Sequence, residues 1–237
     1  MNETKQPTIH HNIDTILVVQ GAEYQAVKTG IRKTKVSASS GNLPKIIPIP
    51  IGEKDANKIW QNPQFLDKSK PQKVLIMGLC GSLAPEHSVG DIVLYKSCMK
   101  EGLSLTTDEK LTANLKSKFT SKIESVRALT SDRVIHLATE KKSLAQTYGA
   151  TVVDMEGFNY LQTLTSQGIS VAILRIVSDD IHYDLPDLNQ AINQDGQLQM
   201  IPMAISILRQ PKAAMRLIRG SLKGLQALQQ ITTEILE

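Results

Sequence analysis

The sequence has little of what marks an extracellular, metal-binding or membrane-spanning protein. Only two of its 237 residues are cysteine, Cys80 and Cys98, and neither these nor the five histidines have the spacing of a metal site. The first fourteen residues lack an apolar signal segment, and no run of about 18 apolar residues occurs. These absences predict a cytoplasmic protein without a disulfide framework, a bound metal or a membrane span.

The composition gives no sign of several domains. Hydrophobic residues make up 41% of the chain and charged residues 21%, close to the averages for globular proteins. Neither a repeat of fixed period nor a long Gly/Ser/Pro linker divides the sequence. We therefore predict a flexible N-terminus over residues 1–13 and a single domain over residues 14–237.

Apolar, β-prone runs alternate with helical stretches along the chain. Strands are predicted at residues 15–20, 46–51, 73–77, 91–95, 126–130, 151–153 and 170–177. Helices are predicted at residues 22–33, 107–119, 140–148, 157–166, 198–209 and 211–236. Because several strands are apolar on both faces, the pattern predicts an α/β domain with a mixed sheet covered on two sides.

The first segment suited to ligand binding is the small-residue stretch GLCGSL, at residues 78–83, which follows a predicted buried strand. Glycines such as Gly81, next to Cys80, let a ligand approach the backbone at the end of the sheet where α/β folds bind ligands. The stretch is neither a Walker loop nor a dinucleotide fingerprint. An ordinary turn between two strands explains it equally well.

Two further segments place acidic residues where predicted strands end. In VDMEG, a carboxylate could accept hydrogen bonds from ribose hydroxyls, or Asp154 and Glu156 could simply support the start of a helix. In RIVSDD, Ser178 and Asp179 follow an apolar strand, and a desolvated Asp179 could act as a general acid. A turn explains that segment too, with Arg175 paired to a neighbouring acid.

In this order, GLCGSLAPEHSVGDIV, VVDMEG and LRIVSDD resemble the superfamily of purine nucleoside phosphorylases and methylthioadenosine/S-adenosylhomocysteine nucleosidases, over residues 15–180. The resemblance implies an α/β fold, a three-layer sandwich with a twisted central mixed β-sheet flanked by helices. It also implies cleavage of the N-glycosidic bond of a purine nucleoside, by an enzyme that is usually a homo-oligomer. No cofactor is implied, although a phosphorylase would use phosphate as co-substrate.

The resemblance assigns roles to individual residues. The glutamate of the Met-Glu pair, here Glu156, holds the ribose hydroxyls, with Met155 beneath the sugar. The aspartate of the Ser-Asp pair, here Asp179 after Ser178, contacts the purine and helps protonate its nitrogen 7, which stabilises the departing base. Val134, in the segment SDRV, stands where relatives line the base.

The resemblance favours water over phosphate as the nucleophile. Phosphorylases of this group place a Ser or Thr after the first glycine of the Gly-rich stretch, whereas this chain has Leu79, which cannot donate to a phosphate oxygen. The segment GAEYQAV is similar to the one in which nucleosidases hold a water-activating glutamate. Alignment puts Gln25 in that glutamate's place, and Glu23 is the nearest carboxylate, so both are candidates for positioning the nucleophile.

The tail beyond residue 180 most resembles hopanoid-associated members of the superfamily, which release adenine from adenosylhopane. From Gly196 to Thr233 the chain has five basic residues and no acidic one, and we predict a basic helical extension over about residues 197–237. A basic helix with apolar residues could rest on an anionic membrane and admit a lipid tail. Packing of its apolar positions on the domain is the structural alternative.

These observations favour hydrolytic release of adenine from a nucleoside with a hydrophobic 5′ substituent such as adenosylhopane. Three alternatives stay open: a methylthioadenosine/S-adenosylhomocysteine nucleosidase, a phosphate-dependent purine nucleoside phosphorylase, and an inactive nucleoside- or lipid-binding module. The basic cluster lacks interleaved aromatic residues, so we expect no nucleic-acid partner. A peripheral membrane contact through the C-terminal helix is a hypothesis that stands beside packing of this helix on the domain.

Overall fold

The structure is a computed structural model that describes residues 13–34, 43–52, 72–119, 123–191 and 199–237. The predicted flexible segment, residues 1–13, lies outside these ranges except for its last residue. Ile13 is buried in the core and is therefore part of the domain. No helix within the described ranges is long and apolar enough to cross a lipid bilayer.

Eight strands and six α-helices form the described part of the chain. The strands are β1 (Thr15–Val19), β2 (Lys45–Ile49), β3 (Lys73–Ser82), β4 (Ile92–Lys100), β5 (Leu103–Thr106), β6 (Glu124–Thr130), β7 (Val152–Asp154) and β8 (Ser170–Asp179). The helices are α1 (Ala22–Lys33), α2 (Glu109–Lys118), α3 (Ala138–Tyr148), α4 (Gly157–Thr165), α5 (Met200–Arg209) and α6 (Pro211–Leu236). Each predicted helix is present, and β5 is the one strand among these that the sequence pattern did not predict.

The strands form one mixed sheet that closes on itself around its middle. Its order is β2-β1-β3-β7-β6-β4-β5, and β8 pairs with both β3 and β4, so β3, β7, β6, β4 and β8 make a closed ring. A strand bonded on both edges and covered on both faces is mostly apolar, and β8 is buried at every position between its two ends, with Arg175 and Ser178 as its polar exceptions. The predicted α/β fold with a central mixed sheet is confirmed, whereas its closure into a ring was not predicted.

Helices cover the sheet on both sides. On one side α1, α2 and α6 pack against the strands, and their buried residues share a core cluster with residues of β1, β3 and β8. On the other side α4 packs against β8 and β4 through Phe158, Leu161 and Leu164. The apolar periodicity of these helices therefore faces the sheet, as an amphipathic stripe requires.

The stretch at residues 78–83 is not a turn, as its composition predicted, but the second half of β3 together with the residue that follows it. The parallel pairing of β3 with β8 continues through Cys80, which keeps these small residues in the sheet. A β-bulge after Cys80 then shifts the register so that Gly81 pairs with Asp179. A Cβ at Gly81 would lie 2.9 Å from Asp179 Oδ1, so glycine leaves room for that carboxylate.

Helix α6 belongs to the core of the domain, in contrast to the predicted extension. Its C-terminal half buries Leu228, Ile231 and Ile235, and it packs against α1, β3 and β8. The structural alternative, in which apolar positions of this helix pack on the domain, is therefore correct for its second half.

Two glycines one helical turn apart bring the middle of α6 directly onto the ends of β3 and β8. A Cβ at Gly220 would overlap the carbonyl oxygen of Ser178, and a Cβ at Gly224 would lie 2.9 Å from Leu79 Cδ2. Since only glycine lets the helix approach this closely, these two positions set the distance between α6 and the strand ends.

Replacing Gly220 by alanine is expected to lower the free energy of unfolding by about 1–3 kcal/mol, because the added methyl group overlaps the Ser178 carbonyl. Without that overlap, the better helix propensity of alanine would raise stability by about 1 kcal/mol. Urea unfolding followed by circular dichroism measures the difference. Gln226→Ala, at an exposed position of the same helix, is the control and should change stability by less than about 0.5 kcal/mol. A Gly220→Ala variant as stable as the unaltered protein would contradict the close packing.

Candidate functional site

A cavity of about 620 Å³ lies where β1, β3, β7 and β8 end, with further walls from α1, α5 and α6. Besides Gly81, the residues with polar side chains that line it are Glu23, Arg133, Asp154, Glu156, Ser178, Asp179 and Ser221. The apolar residues that line it are Val19, Ile51, Leu79, Cys80, Val134, Ile135, Val153, Met155, Leu185, Leu188, Met203, Ile207, Leu217, Ile218 and Leu222. A largely apolar cleft with a few polar side chains at strand ends is typical of a small-molecule site in an α/β fold.

The fully buried Arg175, on β8, is paired with acidic residues beside this cavity. Its Nη2 lies 3.0 Å from Asp154 Oδ2 and 3.3 Å from Glu156 Oε2. Burial alone would lower the pKa of the guanidinium, but the carboxylates of Asp154 and Glu156 raise it above its usual range. The sequence-based alternative that Arg175 pairs with a neighbouring acid is therefore correct.

The carboxylate of Asp154 connects several segments of the protein beside the site. Its carboxylate accepts hydrogen bonds from Tyr95 Oη at 3.2 Å, from Thr130 Oγ1 at 2.7 Å and from the backbone nitrogen of Gly157 at 3.2 Å. The last of these bonds supports the start of α4, as the capping interpretation of this residue predicted. With so many partners inside the protein, Asp154 has a structural role.

The carboxylate of Glu156 has fewer partners inside the protein than that of Asp154, so more of it is available to a ligand. One oxygen accepts from the backbone nitrogen of Gly52 at 3.1 Å, and the other faces Arg175. Burial raises the pKa of this carboxyl, and Arg175 acts against that shift. Because the carboxylate is held in place and lines the cavity, it can accept hydrogen bonds from a pair of hydroxyls.

Glu23, in the first turn of α1, adds a third carboxylate to the group around Arg175. Its Oε2 accepts a hydrogen bond from the backbone nitrogen of Leu79 at 3.0 Å. Burial raises the pKa of Glu23 to about 7, with Arg175 lowering it and Glu156 raising it further. A carboxyl of this pKa can take a proton from water near neutral pH. Gly78 permits the arrangement, because a Cβ there would overlap both Glu23 Oε2 and Arg175 Nη1.

Asp179, the last residue of β8, forms a second ion pair at the cavity. Lys141 of α3, whose side chain is wholly buried, donates to Asp179 Oδ1 and also to the carbonyl oxygen of Asp180 at 2.7 Å. Ser178 Oγ donates to Asp179 Oδ2 at 2.9 Å. Both carboxylate oxygens are thus anchored, while the side chain stays 13% exposed and lines the cavity.

The C-terminal helices supply a large part of the apolar wall. Met203 and Ile207 of α5 and Leu217, Ile218 and Leu222 of α6 line the cavity. Because the side chains of Ile218 and Leu222 are also exposed at the protein surface, the cavity opens beside them. Although α5 is almost wholly apolar, it buries none of its ten residues.

The structure brings together eight of the nine residues that the sequence assigns to the site. These are Glu23, Cys80, Gly81, Val134, Met155, Glu156, Ser178 and Asp179, which line one cavity. Gln25 is the exception, since it is exposed on α1 and does not line the cavity. Two residues along a helix turn by about 200°, so Gln25 points away when Glu23 faces inwards. Of the two candidates for positioning the nucleophile, Glu23 is therefore the one that lines the cavity.

Sequence reasoning missed Lys141 and the contribution of α5. Lys141 lies in a predicted helix rich in polar residues, where a lysine is ordinarily solvent-exposed, so no local pattern marks its burial. In α5 the nearly unbroken apolar run MIPMAISIL was a usable signal, because a surface helix usually alternates apolar and polar positions. Within the described ranges, no three His, Cys, Asp or Glu side chains are grouped as a metal site requires.

Comparisons with solved structures show the same fold in several enzymes. The 5′-methylthioadenosine/S-adenosylhomocysteine nucleosidase of Helicobacter pylori is 15% identical, with a TM-score of 0.66 over 94% of this chain and 96% of that chain. The futalosine hydrolase of Helicobacter pylori is 16% identical, with a TM-score of 0.67 over 94% and 96%. The 5′-methylthioadenosine nucleosidase of Arabidopsis thaliana is 17% identical, with a TM-score of 0.62 over 94% and 95%.

The sequence itself also identifies the family. A search of curated protein sequences finds no match. Residues 12–200, however, match the profile of the phosphorylase superfamily, which covers most of the chain and all three of the ordered motifs. The match confirms the membership that those motifs predicted and, with it, the prediction of an enzyme. The chain therefore belongs to the phosphorylase superfamily.

Proposed function

We propose that the chain hydrolyses the N-glycosidic bond of a purine nucleoside and releases adenine. One arrangement carries the proposal: Glu23 and Asp179 line the same cavity, each fixed by partners inside the protein. Glu23, with a pKa of about 7, suits a base that activates water. Asp179, with both oxygens anchored, suits a group that faces the departing purine.

The other charged residues fit the same reaction. When the bond breaks, its electrons stay on the base while the sugar becomes oxocarbenium-like, so the site must stabilise both charges. Asp179 contacts the purine and assists protonation of nitrogen 7. Glu156 accepts hydrogen bonds from the ribose hydroxyls, with Met155 lining the cavity beside it. Negative carboxylates near the sugar favour the positive charge that develops there.

The charge balance favours water over phosphate as the nucleophile. Around Arg175 stand three carboxylates, those of Glu23, Asp154 and Glu156, so the guanidinium is already neutralised. The backbone nitrogen of Leu79, a donor that an anion could use, is occupied by Glu23. A phosphate placed here would meet like charge and few free donors. The names of the solved relatives, two nucleosidases and a hydrolase, agree with this choice.

The test is release of adenine from 5′-methylthioadenosine by the purified protein, with and without phosphate. We expect release that does not need phosphate, and a fall of about 10²–10⁴-fold in kcat for Glu23→Gln, since the base that activates water is lost. In the unaltered protein, kcat/KM should fall as the pH drops below about 7, because protonated Glu23 cannot accept a proton.

Gln25→Ala is the matched control for this experiment. It removes the neighbouring polar side chain that does not line the cavity, so its kcat should stay within about twofold of the unaltered protein. Release that requires phosphate would instead indicate a phosphorylase. Nucleoside binding without any release would indicate an inactive binding module and would contradict the proposal.

We also propose that the nucleoside carries a long hydrophobic 5′ substituent, for which adenosylhopane is the named candidate. The support is the apolar wall of α5 and α6, which reaches from the cavity to the protein surface at Ile218 and Leu222. A cavity of about 620 Å³ with an apolar opening can accept a chain longer than a methylthio group. A small thioether substituent would leave much of this wall without contacts.

Chain length can be varied directly in a series of 5′-alkylthioadenosines from methyl to hexadecyl. Each methylene that enters the apolar wall is expected to lower KM by about fourfold, because burial of one methylene group is worth about 0.8 kcal/mol. Ile207→Ser should flatten this dependence while leaving the kinetics with the methylthio compound nearly unchanged. Leu103→Ser, at an exposed apolar position on β5, is the control and should keep the full dependence. A KM that rises beyond the shortest chains would favour the small-substituent nucleosidase.

The same two helices form an apolar surface that we propose rests on an anionic membrane. Of the ten exposed large hydrophobic residues in the described ranges, seven lie on α5 and α6, and we call them the apolar face: Met200, Ile201, Ile205, Leu208, Met215, Ile218 and Leu222. The five basic residues between positions 209 and 223 are exposed on the same helices, and no acidic residue accompanies them. Apolar residues flanked by basic ones are typical of helices that lie in a lipid interface.

Sedimentation with lipid vesicles tests the membrane contact. We expect the protein to bind vesicles that contain phosphatidylglycerol, less so at high salt, and to lose most of this binding in Ile201→Ser/Leu208→Ser. Leu103→Ser is again the control and should bind normally. Light scattering on the same protein samples measures self-association, which tests whether a second copy of the chain covers the apolar face instead of a membrane. If the protein does not bind vesicles, and the double variant loses self-association, then a second copy of the chain covers the apolar face, as in the predicted homo-oligomer.

A further inference from the structure

One wall of the cavity is built from irregular backbone. Residues 131–137 lie between β6 and α3, outside any helix or strand, and Val134 and Ile135 of this stretch line the cavity. The helix that follows, α3, bonds Asp179 through Lys141, so this wall stands on the side where the proposed function places the purine. Because no ladder or helix fixes its N–H and C=O groups, other hydrogen bonds must hold it in place.

The side-chain amide of Asn189 bonds both backbone groups of Val134, although 55 residues separate the two in the chain. Asn189 Oδ1 accepts from the backbone nitrogen of Val134 at 2.8 Å, and Asn189 Nδ2 donates to the carbonyl oxygen of Val134 at 3.1 Å. A planar amide that bonds one residue through both of its ends fixes that residue in position and in orientation. The wall at Val134 is therefore held by a side chain from a distant part of the sequence.

Asp187 determines which way the amide of Asn189 points. Asp187 Oδ1 accepts from Asn189 Nδ2 at 2.9 Å and from the backbone nitrogen of Asn189 at 3.0 Å. The bond from that backbone nitrogen lowers the pKa of Asp187, so its carboxylate is only an acceptor at neutral pH. An acceptor at this place holds the NH₂ end of the amide beside it, which leaves Oδ1 for the N–H of Val134. The network thus permits one orientation of the amide.

The segment that carries Asn189 is anchored on both sides of this residue. Before it, the backbone nitrogen of Leu185 donates to the carbonyl oxygen of His136 at 2.8 Å. After it, the fully buried Ala191 accepts through its carbonyl oxygen from the backbone nitrogen of Gln199, which directly precedes α5, at 2.6 Å. Both anchors are backbone bonds that a substitution at Asn189 leaves in place. Such a substitution would therefore release the wall at Val134 without detaching the segment.

We propose that Asn189 is a positioning residue that holds the cavity wall at Val134 against the purine base. The inference rests on the proposed function and adds a residue to the binding of the base in that same site. Asn189 is not among the described residues that line the cavity, so it acts through Val134 and not by touching the nucleoside. Since the base lies against this wall both in the bound substrate and in the transition state, loss of the hold weakens binding more than the chemical step.

The experiment measures KM and kcat separately for 5′-methylthioadenosine. In Asn189→Leu, which keeps the size of the side chain but removes both bonds, KM should rise about tenfold, because two hydrogen bonds that hold the wall are lost. The same variant should keep kcat within about threefold. Asn189→Ala, which adds no apolar branches, should give the same result. Gln190→Ala removes the exposed neighbouring amide and is the control, with both constants within about twofold of the unaltered protein.

Binding of adenine alone, measured by calorimetry, gives a second readout that needs no turnover. Its affinity should fall about tenfold in both Asn189 variants, as KM rises, and should be unchanged in Gln190→Ala. A fall in kcat at unchanged KM would show that Asn189 supports only the folded structure, and would overturn the inference. Unchanged KM and adenine affinity in the folded variants would overturn it as well, while hydrolysis stands. Failure of the unaltered protein to release a base from any nucleoside would instead overturn the proposed function.

Discussion

The buried charge of Arg175 is the constraint on which the rest of the site depends. Removing a guanidinium from water costs several kcal/mol, and the fold offsets this with the carboxylates of Asp154 and Glu156. Burial raises the pKa of Glu23 to about 7, although Arg175 acts against this shift, and the neighbouring carboxylate of Glu156 raises the pKa further. A carboxyl of this pKa suits the base that we propose for the activation of water, and the excess of acids over bases around Arg175 leaves little attraction for an anionic nucleophile.

Two glycines of β3 allow these charged side chains to lie so close together. At Gly78 and Gly81 of β3, a Cβ would collide with Glu23 and Arg175 or crowd Asp179. The strand therefore carries no side chain at the two positions that the carboxylates of Glu23 and Asp179 approach. The same stretch, whose glycines first indicated a turn for ligand approach, is a strand that admits the protein's own acids as well. Its small residues serve the site even though its predicted conformation was wrong.

The sequence predicts the secondary-structure elements of this protein better than the way in which they pair and pack. Strongly periodic elements such as α1 and α6 begin and end where expected, because local apolar spacing determines them. Closure of the sheet through β8, the continuation of β3 past its glycines and the burial of Lys141 all depend on residues far apart in the chain, so no local pattern contains them. The alignment placed Gln25 at the site, but an alignment of sequences does not show in which direction each position of a helix points. The site residues that motifs identified came together because their strands end at one place.

Helix α6 connects the polar and apolar parts of the cavity. At Gly220 it lies against the carbonyl of Ser178, next to Asp179, so the helix is fixed relative to the carboxylate of Asp179. Leu217, three residues before Gly220, and Leu222, two residues after it, belong to the wall proposed to receive the 5′ substituent. Helix α5, which buries no residue, has no such anchor in the sheet. Helix α6 therefore fixes the part of the apolar wall next to the strand ends, whereas α5 contributes a part that packs mainly on α6 and on the turn at residues 189–191.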